Sequence, residues 1–444
     1  MVAASYIERE NQRTGEELEK ELDRIRAEGG ILELSDFRNT RAIPSASVSP
    51  SVPEQSAVAL LMSLEKRYPY LTERHSPECE KVIALYTKMR EWSKTSTPMA
   101  DDDVTDLRAL MEEQSELLDD ITRLSSLPAS DIETILGATK ANRSLVLFVR
   151  IPHILAVRMC MSLCSLRMYL HCVDGEGDDA LALCGNALKC ASHVRDIPTL
   201  TADLMGAALI NIPLENLPRL VSSGDFSDEA IEAFIPILES AAGREAFAQT
   251  IDAERFGPIQ WFNRLDTAPR GWAKGGDFRL LLYTSPSLRF LRYRDELVLL
   301  ELMRPLVEAA NRPFYEVWPA LEEWEKLRQQ RLGGGAYPAT KMFISEHLGK
   351  SFNNQAFTEA RIILTRTLLA LYQYHKRQGA YPENLDGLVP AYLDAVSTDP
   401  FSGQPLVYRR EGMGYVLYSI GEDCQDDNGL DDLKEGDIVW RMDH

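Results

Sequence analysis

Eight carboxylates crowd the sixteen residues from Glu422 to Asp437, with Lys434 the only base among them. They are Glu422, Asp423, Asp426, Asp427, Asp431, Asp432, Glu435 and Asp437. Carboxylates held this close repel one another, and a hard divalent cation taking roughly six to eight oxygen ligands relieves the repulsion. Asn428-Gly429 adds an amide oxygen and a residue that can turn sharply. Asp426, Asn428, Gly429 and Glu435 fall in register with an EF-hand loop, but Cys424 stands at its first ligand position and the flanks read as strands, which argues against that motif. On composition alone the alternative is a solvated acidic hairpin.

Other groups capable of chemistry are scattered. His153 and His171 would share one helix face but lie about 27 Å apart along its axis, too far for one metal. Gly175-Glu176-Gly177 with Ala180 follows a degenerate dinucleotide fingerprint, yet it sits between helices and is acidic where a phosphate would rest. Glu316-Val317-Trp318 and Glu322-Glu323-Trp324 could line a glycan groove, but on a helix they read as a half-buried packing stripe. No P-loop, HExxH or GxSxG motif occurs. The seven cysteines (79, 160, 164, 172, 184, 190 and 424) show no CxxC and no zinc-type spacing. Cys160 and Cys164, one helical turn apart among apolar neighbours, read as reduced and buried.

The elements that must position the acidic loop are legible just before it. Asn354 to Gln378 predicts a helix with an apolar stripe of Phe357, Ala360, Leu364, Thr367, Leu368, Leu371 and Tyr374, stopped by Gly379. The period then changes to that of strands at 405–408, 415–419 and 437–440, with Glu411-Gly412-Met413-Gly414 as a hairpin turn.

Upstream, residues 8–28 predict a charged surface helix ended by Gly29-Gly30. Arg38 to Ser56, with three prolines and five serines, reads as a linker or strap. Helical periodicity covers Ala57 to about Arg331. Asp101-Asp102-Asp103 are expected to cap a helix running to about Arg123. Further helices are expected near 130–142, 145–172, 178–195, 199–219, 228–241, 243–256, 287–310 and 313–331, with an irregular loop at 266–277. Gly177 to Ala191 has tetratricopeptide-like small residues but no recurrence at that period.

The formal charge of −20 argues against nucleic acid or an anionic membrane as the main partner. No window approaches the ~20 apolar residues of a membrane span, because Arg150, Arg158 and Arg167 interrupt the best one, Leu145 to Val173.

Residues 354–440 resemble the soluble part of the major pseudopilin of type II secretion systems. The resemblance rests on an ordered set: a long helix, Gly379-Ala380-Tyr381-Pro382, Leu385-Asp386-Gly387-Leu388-Val389, Asp399-Pro400-Phe401-Ser402-Gly403, Leu406-Val407-Tyr408, Tyr415 to Asp423, and Asp437-Ile438-Val439-Trp440. It implies an α+β module holding one structural Ca2+. By position, Asp423 and Asp437 would supply side-chain ligands and Ile420 its carbonyl, while Asp426, Asp427 and Asn428 fall in the variable middle of the site. Pseudopilins begin with a hydrophobic helix that polymerises; here residues 1–353 precede the module, and its helix carries Arg361 and Arg366. The whole chain also resembles a group of bacterial envelope proteins joining an N-terminal anchor, a helical middle and this module, through Pro53-Glu54-Gln55-Ser56-Ala57 and Glu254-Arg255-Phe256. That likeness implies location and architecture only.

The expectation is therefore a mainly α protein of irregular helical hairpins with a small C-terminal α+β pseudopilin-like module containing an antiparallel sheet. Its parts would be a charged helix and linker (1–56), a helical domain (57–335) and the module (350–444). A non-enzymatic, envelope- or secretion-associated scaffold is expected, with a calcium-stabilised module and a protein partner on the helical surface; it would lie on the periplasmic or extracellular side if an anchor precedes this chain, and in the cytoplasm otherwise. The rivals are a hydrolase with its site between helices and module, and a cytoplasmic helical adaptor.

Overall fold

The computed structural model describes residues 2–33, 36–37, 56–95, 98–130, 135, 151–265, 282–430 and 436–442. The expected linker at 38–56 (except Ser56), most of the helix near 130–142 and the loop at 266–277 lie outside them.

Hydrophobic periodicity places most elements. α1 (Val2–Ala27) is the expected charged helix, but it is not a free surface element. Its buried Leu18 and Ile25 pack on the body, and Glu10 and Glu21 pair with Arg294 and Arg304 of α11 (Arg289–Ala309). α2 (Ala57–Arg67) is capped by the Ser56 hydroxyl, and α3 (Pro77–Thr95) follows.

The helix expected from Asp101 to Arg123 is two, α4 (Asp101–Glu113) and α5 (Ser115–Ser125). Gln114 between them leaves helical geometry, is buried, and accepts from the Tyr70 hydroxyl. Nor do the three aspartates cap α4. Ala100 is the N-cap, and the acids occupy the first turn, where they complement the helix dipole.

α6 (Ile154–Val173) has buried residues on nearly every side and packs against α3, α4, α5, α7 and α8. That all-round burial explains the apolar run over 154–173, residues 145–150 of the expected helix lying outside the described residues; among the described residues no helix is long and apolar enough to cross a membrane. α7 (Gly177–Arg195) and α8 (Leu200–Ser223) pack against α6 and against each other, and α9 (Asp228–Ala241) packs on α7 rather than on its chain neighbour α8. α10 (Arg244–Arg264) runs past its expected end at 256 and through Pro258. Buried Ile259 and Phe262, on the side that meets the core, offset the hydrogen bond that an interior proline costs. α12 (Phe314–Leu332) buries Val317 and Trp324, whose indole donates to the Leu302 carbonyl at 2.7 Å, so the acid–aromatic stretches are packing surface. α13 (Pro338–Phe343) is short.

α14 (His347–Gln378) starts seven residues earlier than expected and ends at Gly379, which takes φ +72°. It is not a one-stripe helix. Ala356, Thr358, Glu359, Ile362, Thr365 and Leu369 are buried beside the expected stripe, because α14 packs on the sheet and also on α8, α9, α10 and α12. Thr358, Thr365 and Thr367 tolerate burial by donating to carbonyls one turn back, at 2.7–3.0 Å.

β1 (Val407–Glu411), β2 (Gly414–Ser419) and β3 (Ile438–Met442) form one antiparallel sheet in the order β1-β2-β3. Glu411 pairs with Gly414 across the Gly412-Met413 turn, and Ser419 with Ile438. β1 starts two residues late; Pro405 instead makes an isolated bridge with Thr398. One apolar core runs from Leu18 through the helices to Met442 of β3, so the sheet and the helical body share their interior. The architecture is mainly helical with a small C-terminal antiparallel sheet, as the periodicity implied.

Candidate functional site

The acidic loop connects β2 to β3, and buried side chains fix both of its ends. Asp399, at 1% exposure, accepts from Phe401 N–H (3.0 Å), the Ser402 hydroxyl (3.0 Å), the Ser419 hydroxyl (2.7 Å) and Ile420 N–H (3.2 Å). The Asp399-Pro400-Phe401-Ser402-Gly403 stretch is thus a structural knot that holds the end of β2. Phe401 stacks edge-on against Phe314 of α12, and Tyr315 N–H donates to the Pro400 carbonyl at 3.1 Å, tying the knot to the helical body.

Gly421 then turns the chain at φ +71°, and a Cβ there would come within 2.5 Å of the Gly436 carbonyl oxygen. Gly421→Ala combines a left-handed backbone with that overlap. It is expected to cost about 2 kcal/mol in urea unfolding, and a variant as stable as the parent would show the loop closing differently.

The six predicted ligand residues do not behave alike. Asp437 is 1% exposed. Its Oδ2 accepts from Gly429 N–H at 2.7 Å, while Oδ1 is buried without a hydrogen-bond partner. Burial pushes its carboxyl pKa up, the backbone amides of Gly429 and Asp427 work against that, and the nearby Asp426 and Asp427 charges add to it. A buried carboxylate oxygen left unpaired is costly, and a cation is one way to satisfy it.

The others are exposed or half-buried and mostly engaged locally. Asp426 Oδ1 accepts from the Tyr418 hydroxyl (2.8 Å) and Asn428 N–H (2.9 Å). Asp423 Oδ1 accepts from Gln425 N–H at 3.0 Å. Asn428, at φ +61°, offers its carbonyl to Arg409. Asp427 is half-buried, and Ile420 is held through its N–H. Among the described residues, no three carboxylates of this loop bring an oxygen each within 4.8 Å of one another. Asp431, Asp432 and Glu435 lie outside the described residues.

The donor set fits a hard cation in part. All its donors are oxygens, and Asp437 presents one that lacks a partner. Asp423 and Asp426 would have to leave their present hydrogen bonds to join it.

The cysteines divide six to one. Six are buried, and burial raises the thiol pKa of Cys172 and Cys164 to about 12. Cys424, on the acidic loop, is exposed.

A second polar constellation lies elsewhere. A groove of about 460 Å³ runs between α4, α5, α6 and α7, and no residue of the module lines it. At its edge, His171 Nδ1 lies 2.7 Å from Glu176 Oε2, with Asp179 close by. The histidine pairing considered from sequence, 153 with 171, overlooked this cluster, because its acids come from beyond the helix, Glu176 from the turn and Asp179 from the first turn of α7. The signal was the Asp174-Gly175-Glu176-Gly177-Asp178-Asp179 run itself. Its glycines have separate structural roles: Gly175 turns the chain at φ +78°, and a Cβ on Gly177 would sit 2.1 Å from the Asp225 carbonyl oxygen.

Comparison with family models, with curated proteins and with solved structures found no match.

Proposed function

We propose that the chain is a non-enzymatic scaffold of the cell envelope or of a secretion apparatus, in which a calcium-stabilised C-terminal module braces a helical body that receives a protein partner. The observation that carries this reading is the enclosure of α14 by its own chain. Pseudopilins polymerise through their long helix. Here α14 is covered by α8, α9, α10 and α12 on the sides the sheet leaves free. Arg377 pairs with Asp228 at 2.7 Å, Lys376 with Asp225 at 2.6 Å, and Arg361 donates to the Asn211 carbonyl at 3.3 Å. A helix committed in this way supports a brace rather than a polymer subunit.

The envelope location rests on the resemblance of the chain to anchored proteins. Free thiols do not oppose it, since six of seven are buried, out of reach of oxidants. Fractionating cells that express the full-length gene tests the location: recovery with the membranes is expected, and recovery wholly in the cytosol would overturn it.

Calcium is the part open to the most direct measurement. Asp437 would be the principal side-chain ligand, with the carboxylates of Asp423 and Asp426 drawn in and loop carbonyls completing the shell. Ca2+ at a hundredfold excess over its Kd is expected to add about 2.7 kcal/mol of stability relative to EDTA. Asp437→Asn should abolish that increment, and Asp423→Ala should reduce it. Melting curves that superimpose in EDTA and in calcium would remove the ion from the proposal.

A further inference from the structure

We infer that His171, Glu176 and Asp179 form a binding site for a first-row divalent cation of the Zn2+ type, separate from the acidic loop of the module. His171 stands in the last turn of α6, Glu176 directly precedes α7, and Asp179 is in the first turn of α7. One donor atom from each lies within 4.8 Å of the other two. Donors sharing a zinc ion at about 2.0–2.1 Å each sit roughly 3.3 Å apart, so rotamer adjustments alone bring the three onto one ion. The His171 side chain is 14% exposed and therefore held in place, while that of Glu176, at 51%, can adjust.

The donor types select the cation. An imidazole nitrogen with two carboxylates suits Zn2+, Co2+ or Ni2+, whereas Ca2+ takes oxygen ligands throughout. Three protein ligands leave positions for water, and the groove of about 460 Å³ lined by His171 and Asp179 provides the room. Glu112 and Asp119 in its lining raise the negative potential, with Arg167 the only basic side chain besides His171 among the described residues that line it.

The hydrogen bonds fix the proton in the metal-free state. Arg167 Nε donates to His171 Nε2 at 3.1 Å, and because arginine can only donate, the neutral imidazole carries its proton on Nδ1 and gives it to Glu176. A cation bound at Nδ1 takes the place of that proton, which moves to Nε2; the ring stays neutral. Nε2 then no longer accepts from Arg167, and the guanidinium turns into the groove it already lines. Arg167 therefore competes with the metal.

The test is calorimetric titration of the full chain with Zn2+, and with Co2+ followed by visible absorption. One ion per chain is expected at this site. Asp179→Asn, at an exposed position, should weaken it about tenfold while leaving the fold intact. His171→Ala should abolish it, and Arg167→Met should tighten it several-fold. Affinity unchanged in both Asp179→Asn and His171→Ala would overturn the site, as would weaker binding in Arg167→Met. A His171→Ala chain that melts lower yet still binds Zn2+ like the parent would show the cluster to be only a brace for the turn.

Discussion

Arg195→Met is expected to destabilise the protein by about 3–5 kcal/mol, because it leaves a buried carboxylate with no cation. Arg195 and Asp203 are each 2% exposed. The guanidinium donates to Asp203 (2.8 Å), to the Ala241 and Ala242 carbonyls (3.2 and 3.1 Å), to Gly243 (3.4 Å) and to the Gln355 side chain (2.7 Å). One side chain thus joins α7, α8, the end of α9 and α14. It also supplies the charge for α9's last carbonyls, which no helix partner satisfies. Burial pushes the Asp203 carboxyl pKa up, against the pull of Arg195. Without Arg195 the aspartate either stays charged and unsolvated or takes a proton. Replacing both members, Arg195→Met with Asp203→Leu, should recover part of the loss. Urea unfolding of the two single variants and the double measures this coupling. A loss below about 1 kcal/mol in Arg195→Met would mean the network is redundant.

The second large effect depends on pH. Glu296 on α11 is 3% exposed, and its Oε1 has no hydrogen-bond partner. Burial raises its carboxyl pKa to about 8; Arg292 opposes the shift, and the charges of Glu19 on α1 and of Asp295 add to it. The native state therefore keeps Glu296 protonated at neutral pH, whereas the unfolded chain ionises it near the ordinary value of 4.5. Stability is full below that unfolded value and falls as pH rises toward about 8, above which the contribution levels off. Glu296→Gln imitates the protonated acid at every pH. It should be more stable than the parent by something on the order of 2–4 kcal/mol at pH 8, with the two converging near pH 4. Parallel stability curves from pH 4 to 9 would show that Glu296 finds a partner when it ionises. Since Glu19 lies on α1, alkaline loosening should be felt first where that helix meets α11.

Legibility varied with how local the cause was. Gly379 stops its helix because glycine enters the left-handed region without penalty, and that can be read from a single residue. The three strands followed from alternation, and the Gly412-Met413 turn makes the β1–β2 pairing local, whereas β3 reaches β2 only across the acidic loop at 420–437. Errors arose where a distant contact decides the outcome. Gln114 breaks α4 from α5 where it meets Tyr70, 44 positions away. Pro258 stays within α10 because the residues after it are buried. The apolar stripe of α14 was visible, but its second buried face was hidden by threonines bonded back to their own helix and by Glu359, whose partner Arg244 lies on α10.

The acidic loop of Glu422–Asp437 divides along the same line. Its charge density, its many oxygen donors and its place between two strands were set by composition and spacing alone. The resemblance added Asp423 and Asp437 as side-chain ligands but did not tell the two apart. The tertiary structure singles out Asp437, because packing between sheet and loop takes both of its oxygens out of water and supplies a partner to only one. It leaves Asp423 and Asp426 at the surface, each already accepting a backbone hydrogen bond from its own loop. The same holds for His171, Glu176 and Asp179, which a helix periodicity cannot bring together and a turn between α6 and α7 does. Sequence periodicity reports which face of an element is apolar. Only the packed chain decides which polar atoms lose water, and the price of that loss is what marks a site.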